Sequence, residues 1–214
     1  MLLLIVSLFV QAAAAAQNVV IRTFEEDKIG APPPGFVAAV GRDAVPDRWT
    51  VRREGNTRVL MHEGKAAPAD SFAIAVFGAQ YQDVDVRVRL KATGGSRAAG
   101  LVWKYQDPMN HYVVQLDLAR QEIALYRVAG GNRIRLERED DLELDPDAWH
   151  SLRVLQERGE IRVYLGGIRV FSERERVPPA RARVGIWASG DSTVMFDDFR
   201  IEDETEETPR APRQ

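Results

Sequence analysis

The sequence predicts an all-β chain folded as a two-sheet antiparallel jelly-roll sandwich. Three observations carry that expectation. Segments with apolar and polar residues in alternation recur along the chain. In the clearest, Val84, Val86, Val88 and Leu90 alternate with Asp85, Arg87, Arg89 and Lys91, giving one dry and one wet face at the two-residue strand period. Gly, Asp, Asn and Pro separate these segments at spacings typical of all-β domains. Beyond Ala16, no stretch sustains apolar residues at helical spacing behind a cap. A dozen or more strands, as a rough count, exceeds an immunoglobulin sandwich and suits a lectin-type jelly roll, whose larger sheet is often concave.

In chain order, Asn18 to Phe24 reads as the first strand, and Pro32, Pro33 and Pro34 make Glu25 to Gly35 a loop. Phe36 to Val40 reads as a short edge strand. Trp49 to Arg53 and Arg58 to His62 form a hairpin around Glu54-Gly55-Asn56. Lys65 to Asp70 is loop, followed by strands over Ser71 to Phe77 and Val84 to Ala92. Ala98 to Tyr105 and His111 to Leu118 are strands joined by Gln106-Asp107-Pro108-Met109-Asn110. Glu122 to Val128 and Ile134 to Glu139 form a hairpin over Ala129-Gly130-Gly131-Asn132, and the acidic run Asp140 to Asp147, with Pro146, is loop. Trp149 to Gln156 and Glu160 to Leu165 turn around Gly159, and Ile168 to Glu173 follows Gly166-Gly167, a pair suited to primed hairpin turns. Pro178 and Pro179 break the chain before the last strands, Arg183 to Ala188 and Thr193 to Glu202. The last of these is expected to close the sandwich by pairing near the chain's start.

With 214 residues, 45% of them hydrophobic and 29% charged, the chain suits one domain with its own core. The net charge is only -3 and the signs are interleaved, so no basic block is present to neutralise nucleic-acid phosphates. Leu2 to Val10 is apolar apart from Ser7, and Ala12 to Ala16 supplies small residues. That pattern reads as an export signal over residues 1–16, cleaved after Ala16 or else retained as an anchor. It is shorter than the roughly 20 apolar residues that span a bilayer. A secreted or periplasmic monomer follows, with the jelly roll over residues 17–203 and a disordered acidic and Pro-containing tail over 204–214. Cysteine is absent, which excludes a disulfide framework, thiolate metal sites and a Cys nucleophile.

Several stretches resemble a known superfamily. Trp149-His150-Ser151-Leu152-Arg153-Val154, Gly159-Glu160-Ile161-Arg162-Val163-Tyr164-Leu165-Gly166-Gly167, Ala182-Arg183-Val184-Gly185-Ile186-Trp187 and Phe196-Asp197-Asp198-Phe199 are similar to the concanavalin A-like lectin/glucanase superfamily. Within it the chain looks most like laminin G-like domains and bacterial 3-keto-disaccharide hydrolase domains, over about Gly100 to Glu202. The resemblance implies the sandwich fold, and it allows lectin, hydrolase, lyase and adhesion functions. Retaining glucanases of the superfamily carry Glu-x-Asp-x-Glu on one strand. The nearest segment here is Gln115-Leu116-Asp117-Leu118-Ala119, which keeps the Asp and lacks both glutamates. The keto-disaccharide hydrolase pattern places a Glu two residues before the Gln, where this chain has Val113. It also places Asn-Ser-Gly where this chain has Ala98-Ala99-Gly100. Glucanases of the superfamily use an Asp near the end of the chain to bind a structural Ca²⁺, and Asp197 stands at that position.

Strand alternation proposes a groove. Ala99, Leu101, Trp103 and Tyr105 share one face of their strand; His111, Val113, Gln115 and Asp117 share one face of the next; Arg127 and Trp187 can join them. Sugars take aromatic faces and a few well-placed amide and charged groups. The predicted carbohydrate-binding set is therefore Trp103, Tyr105, His111, Gln115, Asp117 and Arg127, with Asp117 and His111 as candidates for acid-base chemistry. Trp149, Tyr112, Leu116 and Leu118 are expected in the core, as is Trp187 if it keeps out of the groove. His62, His111 and His150 are too far apart in sequence for a zinc motif, and no nucleophile elbow or phosphate loop is present. The expected function is an exported, non-catalytic jelly-roll module that binds a glycan on its concave sheet. The alternatives are a hydrolase or lyase of the keto-disaccharide type and a laminin G-like protein-interaction module.

Overall fold

The computed structural model describes residues 19–40, 49–64, 71–174 and 180–205. The proposed export segment, the loop Lys65 to Asp70, Pro178 with Pro179 and residues 206–214 lie outside the described residues. All fifteen expected strands form: β1 (Val19–Arg22), β2 (Phe36–Val40), β3 (Trp49–Glu54), β4 (Thr57–His62), β5 (Phe72–Tyr81), β6 (Val84–Gly94), β7 (Ala98–Asp107), β8 (Asn110–Asp117), β9 (Glu122–Ala129), β10 (Asn132–Glu139), β11 (His150–Glu157), β12 (Glu160–Leu165), β13 (Ile168–Arg174), β14 (Ala182–Ser189) and β15 (Thr193–Asp203). β5 runs past its expected end at Phe77, because Gln80 and Tyr81 pair with Arg183 and Ala182 of β14.

Every strand pairing among the described residues is antiparallel, and the strands form two sheets. The first runs β13-β12-β11-β6-β15-β4-β3, with β1 also on β15; the second runs β10-β9-β8-β7-β14-β5-β2. The closing strand β15 does pair with the start of the chain, Val19 opposite Glu202 and Arg22 opposite Phe199. The chain stays tied down slightly beyond the expected boundary. The amide of Glu204 donates to the Asp83 carbonyl (3.1 Å) and that of Thr205 to the Asp203 carboxylate (3.0 Å).

The inner faces of the two sheets share one core. It includes Val86, Leu90, Leu101, Trp103, Leu116, Ile123, Leu152, Phe196 and Phe199. β6 shows how the alternation works: Val84, Val86, Val88 and Leu90 are buried while Arg87 and Arg89 face outward. The outer faces differ in character. On the larger sheet, Arg153 and Arg87 close on the buried carboxylate of Asp85 (2.6 and 3.1 Å), and Arg87 also reaches Glu202 (3.0 Å). On the smaller sheet a second apolar cluster forms outside the main core, from Ile74, Val76, Ala98, Val102, Tyr105, Val113 and Trp187. A sheet with apolar side chains on both faces has a surface on which a ligand can sit.

Candidate functional site

The site follows β8. Its odd-numbered residues face outward, as the alternation predicts: His111, Val113, Gln115 and Asp117 all line a cavity of about 490 Å³ on the outer face of the smaller sheet. Phe72, Trp187, Arg133, Ser96 and Asp191 complete its walls. Phe72 stacks on Trp187 with centroids 6.3 Å apart, and His111 lies between Phe72 (6.1 Å) and Tyr105 (5.9 Å). The guanidinium of Arg133 lies 3.6 Å over the Tyr126 ring and 5.9 Å from that of Trp187, and it donates to the Gln115 side-chain carbonyl.

Three predicted groove residues do not line the cavity: Tyr105, buried in the outer cluster beside His111, and Trp103 and Arg127, which lie on the other side of the sheet. Trp103 is fully buried in the core between the sheets, stacked on Tyr112 (5.7 Å). The expectation that it shares a face with Tyr105 fails because Lys104 takes a left-handed backbone conformation (φ 49°) at a register shift between Trp103 and Asp107. That bulge adds a residue and turns Tyr105 to the outer face while Trp103 stays inside. Arg127 is a further correction. Its neighbours Tyr126 and Val128 pack on the outer cluster, so Arg127 points to the opposite side of β9, level with Tyr112. Trp187, for which groove and core were both open, lies on the outer face and is largely covered there.

The ionisable groups of the cavity are already engaged. Asp117 accepts from the Arg120 amide (2.9 Å) and so caps the turn after β8. Burial lowers the His111 pKa to about 4, Arg133 adds to that, and a contact with the Asp107 carbonyl partly offsets it. His111 is therefore neutral at pH 7. Asp191 accepts from the Ser96 amide (3.0 Å), the Ser96 hydroxyl (2.6 Å) and the Ser189 hydroxyl (2.7 Å). Burial pushes its carboxyl up, but the serine hydrogen bonds outweigh that and hold it below the usual range.

Arg133, Phe72 and Asp191 were not anticipated from the sequence. Arg133 reaches the site from β10, two strands away from β8, and Asp191 comes from the β14–β15 turn. The one available signal was the side-chain period of β10, which places Arg133 and Arg135 on one face.

Asp197 lies on the other sheet, away from this cavity, at a bulge where Asp198 is left-handed (φ 50°). Its carboxylate accepts from the Asp198 amide (2.7 Å). Burial raises its pKa; Asp198 and Glu25 add to the rise, while that amide and Arg89 oppose it. Among the described residues, no three His, Asp or Glu side chains group as a metal site.

No family model matches the sequence, and no curated protein matches it significantly. Solved structures do match. The carbohydrate-binding module CBM66 from Bacillus subtilis superposes with a TM-score of 0.58 at 18% identity, over 73% of this chain and 96% of that one. A β-1,3-1,4-glucanase (lichenase) from a mouse hindgut metagenome gives 0.59 at 11% identity, over 87% and 99%. The Bacillus licheniformis β-glucanase gives 0.60 at 9% identity, over 87% and 98%. At these identities the likeness carries the architecture: the protein has the concanavalin A-like jelly-roll fold.

Proposed function

We propose that the protein is a non-catalytic carbohydrate-binding module that holds a glycan along β8. The observation that carries this reading is one cavity combining an aromatic wall with an amide, a guanidinium and carboxylates on an otherwise charged sandwich. Its volume, about 490 Å³, lies in the range of small-molecule sites. The structural neighbours include a carbohydrate-binding module and glucanases. Glycan-array binding tests the reading. Gln115→Ala should weaken the best ligand about tenfold, the order expected for losing a hydrogen bond in a partly buried site. An array with no signal for the unmodified protein would remove the proposal.

A hydrolase or lyase is the second reading, favoured by two carboxylates, Asp117 and Asp191, lining the same cavity. Against it, Asp117 is held by the turn it caps, and the serines hold the Asp191 carboxyl below the usual range, whereas an acid catalyst in its place would need a raised pKa. Turnover of 3-keto sugars that disappears in Asp117→Asn would reverse the order of the two readings. For a laminin G-like interaction module the surface offers less support. The most exposed large apolar residues, Ile168 and Val37, lie on edge strands of different sheets.

Three further expectations belong to this proposal. The protein is an exported monomer, released by cleavage after Ala16, and the mature N-terminus read by mass spectrometry checks it. A Ca²⁺ ion binds at Asp197, whose carboxylate lies within electrostatic reach of those of Asp198 and Glu25. Backbone carbonyls would have to supply most of its six to eight oxygens. Calcium at about a hundred times its dissociation constant should then stabilise the fold by about 2.7 kcal/mol over EDTA, and Asp197→Asn should remove the gain. Equal melting temperatures with and without calcium would exclude the ion. The tail beyond Thr205 is expected to be disordered, which limited proteolysis checks.

A further inference from the structure

A side-chain amide can turn over, exchanging its oxygen for its NH₂ group, and only its partners decide which end faces a ligand. In the β8 groove one partner makes that choice. The Gln115 side-chain oxygen accepts from the Arg133 guanidinium. A guanidinium carries N–H donors and no acceptor, so only the oxygen of the amide can face it. Arg133 is itself positioned: it projects from β10, with its guanidinium 3.6 Å over the Tyr126 ring and 5.9 Å from that of Trp187. A planar guanidinium resting on a ring has little freedom left to lose when it forms a hydrogen bond.

The other end of the amide is available. Across the sheet Gln115 stands between Gly100 of β7 and Ala124 of β9, which offer no polar side chain. Among the described residues, the bond from Arg133 is the one hydrogen bond of the Gln115 side chain. Gln115 is half-buried and lines the cavity, so its NH₂ group has two donors for a ligand. Asp117 lines the same cavity two residues on, about 7 Å along the strand. Its carboxylate accepts from the Arg120 amide (2.9 Å), which leaves further lone pairs for a ligand.

We propose that Arg133 is a positioning residue for the glycan: by holding the Gln115 oxygen it fixes the NH₂ group toward the groove, so that β8 presents a donor at Gln115 beside an acceptor at Asp117. The inference rests on the glycan reading above and adds a specificity to it. The ligand atom at Gln115 needs only a lone pair, so a ring, glycosidic or acyl oxygen serves as well as a hydroxyl. The ligand group at Asp117 must bring a proton, so a hydroxyl there does not tolerate methylation.

Two measurements test it. The first needs no ligand: urea denaturation of the unmodified chain, Gln115→Glu, Arg133→Met and the double variant. Gln115→Glu keeps an oxygen toward Arg133 and adds charge to the contact. Its cost should therefore be lower with Arg133 present than in the Arg133→Met background, by about threefold in the unfolding constant. An equal cost in both backgrounds removes the contact and overturns the proposal. The second runs the same variants on one glycan array. Gln115→Glu holds Arg133 but has no donor, so it should bind the best array ligand at least tenfold more weakly. Arg133→Met frees the amide to turn over and should weaken binding about twofold, if the two orientations are equally populated. Arg133→Lys, which donates to the same oxygen, should restore it. Wild-type affinity in Gln115→Glu overturns the positioning role and leaves the glycan reading intact. A silent array for the unmodified protein overturns both, even where the coupling is found.

Discussion

At the scale of single residues, His111 shows how the groove makes its own chemistry. Phe72 and Tyr105 flank the ring, Arg133 faces it, and the Asp107 backbone carbonyl and carboxylate supply what opposes the loss of the proton. Burial prevails and the pKa falls to about 4, well below the 6.5 of a free imidazole. The unfolded chain therefore takes up a proton at a pH where the folded protein does not. Stability from this group is complete above pH 6.5 and falls as the pH drops toward 4. Between pH 7 and pH 5 the loss is about 2 kcal/mol, at 1.36 kcal/mol per unit of pKa difference. Urea denaturation at the two pH values should show that loss, and the difference should largely vanish in His111→Gln. An identical pH dependence in the variant would mean that His111 is more solvated than its packing indicates. The same neutral ring makes it a poor acid at pH 7 and a good apolar wall.

At the scale of elements, β7 and its neighbours decide which side chains reach the groove. β7 lies between β14 and β8, and it approaches β8 very closely at Gly100: a Cβ there would lie 1.8 Å from the Val114 carbonyl oxygen. Backbone cannot yield as a side-chain tip can. Gly100→Ala should thus cost about 3 kcal/mol or more, the upper end of overpacking effects. Gly78→Ala in β5, whose nearest neighbour would be 3.7 Å away, should cost little. Thermal melts of the two variants make the comparison, and equal melting temperatures would contradict the close packing of β7 on β8. All fifteen strands were legible in the sequence because alternation and turn residues are local signals. So was the outward face of β8, from His111 to Asp117. The bulge at Lys104 was not legible, since nothing in Trp-Lys-Tyr marks a left-handed lysine, and that one residue puts Trp103 and Tyr105, expected on one face, on opposite faces of the sheet. Arg133 and Asp191 were hidden for a different reason. They join the site through sheet order and a turn between sheets, which a single strand's pattern does not encode.

For the whole molecule, the question is whether two sheets make one cooperative unit without a disulfide. Each sheet has an apolar inner face that only the other can cover, and the core draws Val86, Leu90 and Phe196 from one and Leu101, Trp103 and Leu116 from the other. The connections reinforce this. The β6–β7 and β14–β15 turns each cross from one sheet to the other, and Ser192 and Asp191 of the second turn bond to Ser96 and Ala98 at the first. β15 then ties β6, β4 and β1 together. Neither sheet can separate without exposing the shared core, so unfolding should be two-state. The tryptophans give an internal check. Trp49 packs on His62 and Phe196 against the larger sheet, and Trp103 on Tyr112 against the smaller one. Denaturation followed by tryptophan fluorescence and by far-ultraviolet circular dichroism should give coincident transitions. Trp103→Ala should move both midpoints together, at a cost of about 3–5 kcal/mol for the cavity it leaves. Two separate transitions, or a fluorescence change preceding the loss of strand signal, would show that the sheets unfold independently. If instead Trp103→Ala keeps its stability and loses glycan binding, the core placement of that ring is wrong, and with it the bulge that sets the groove.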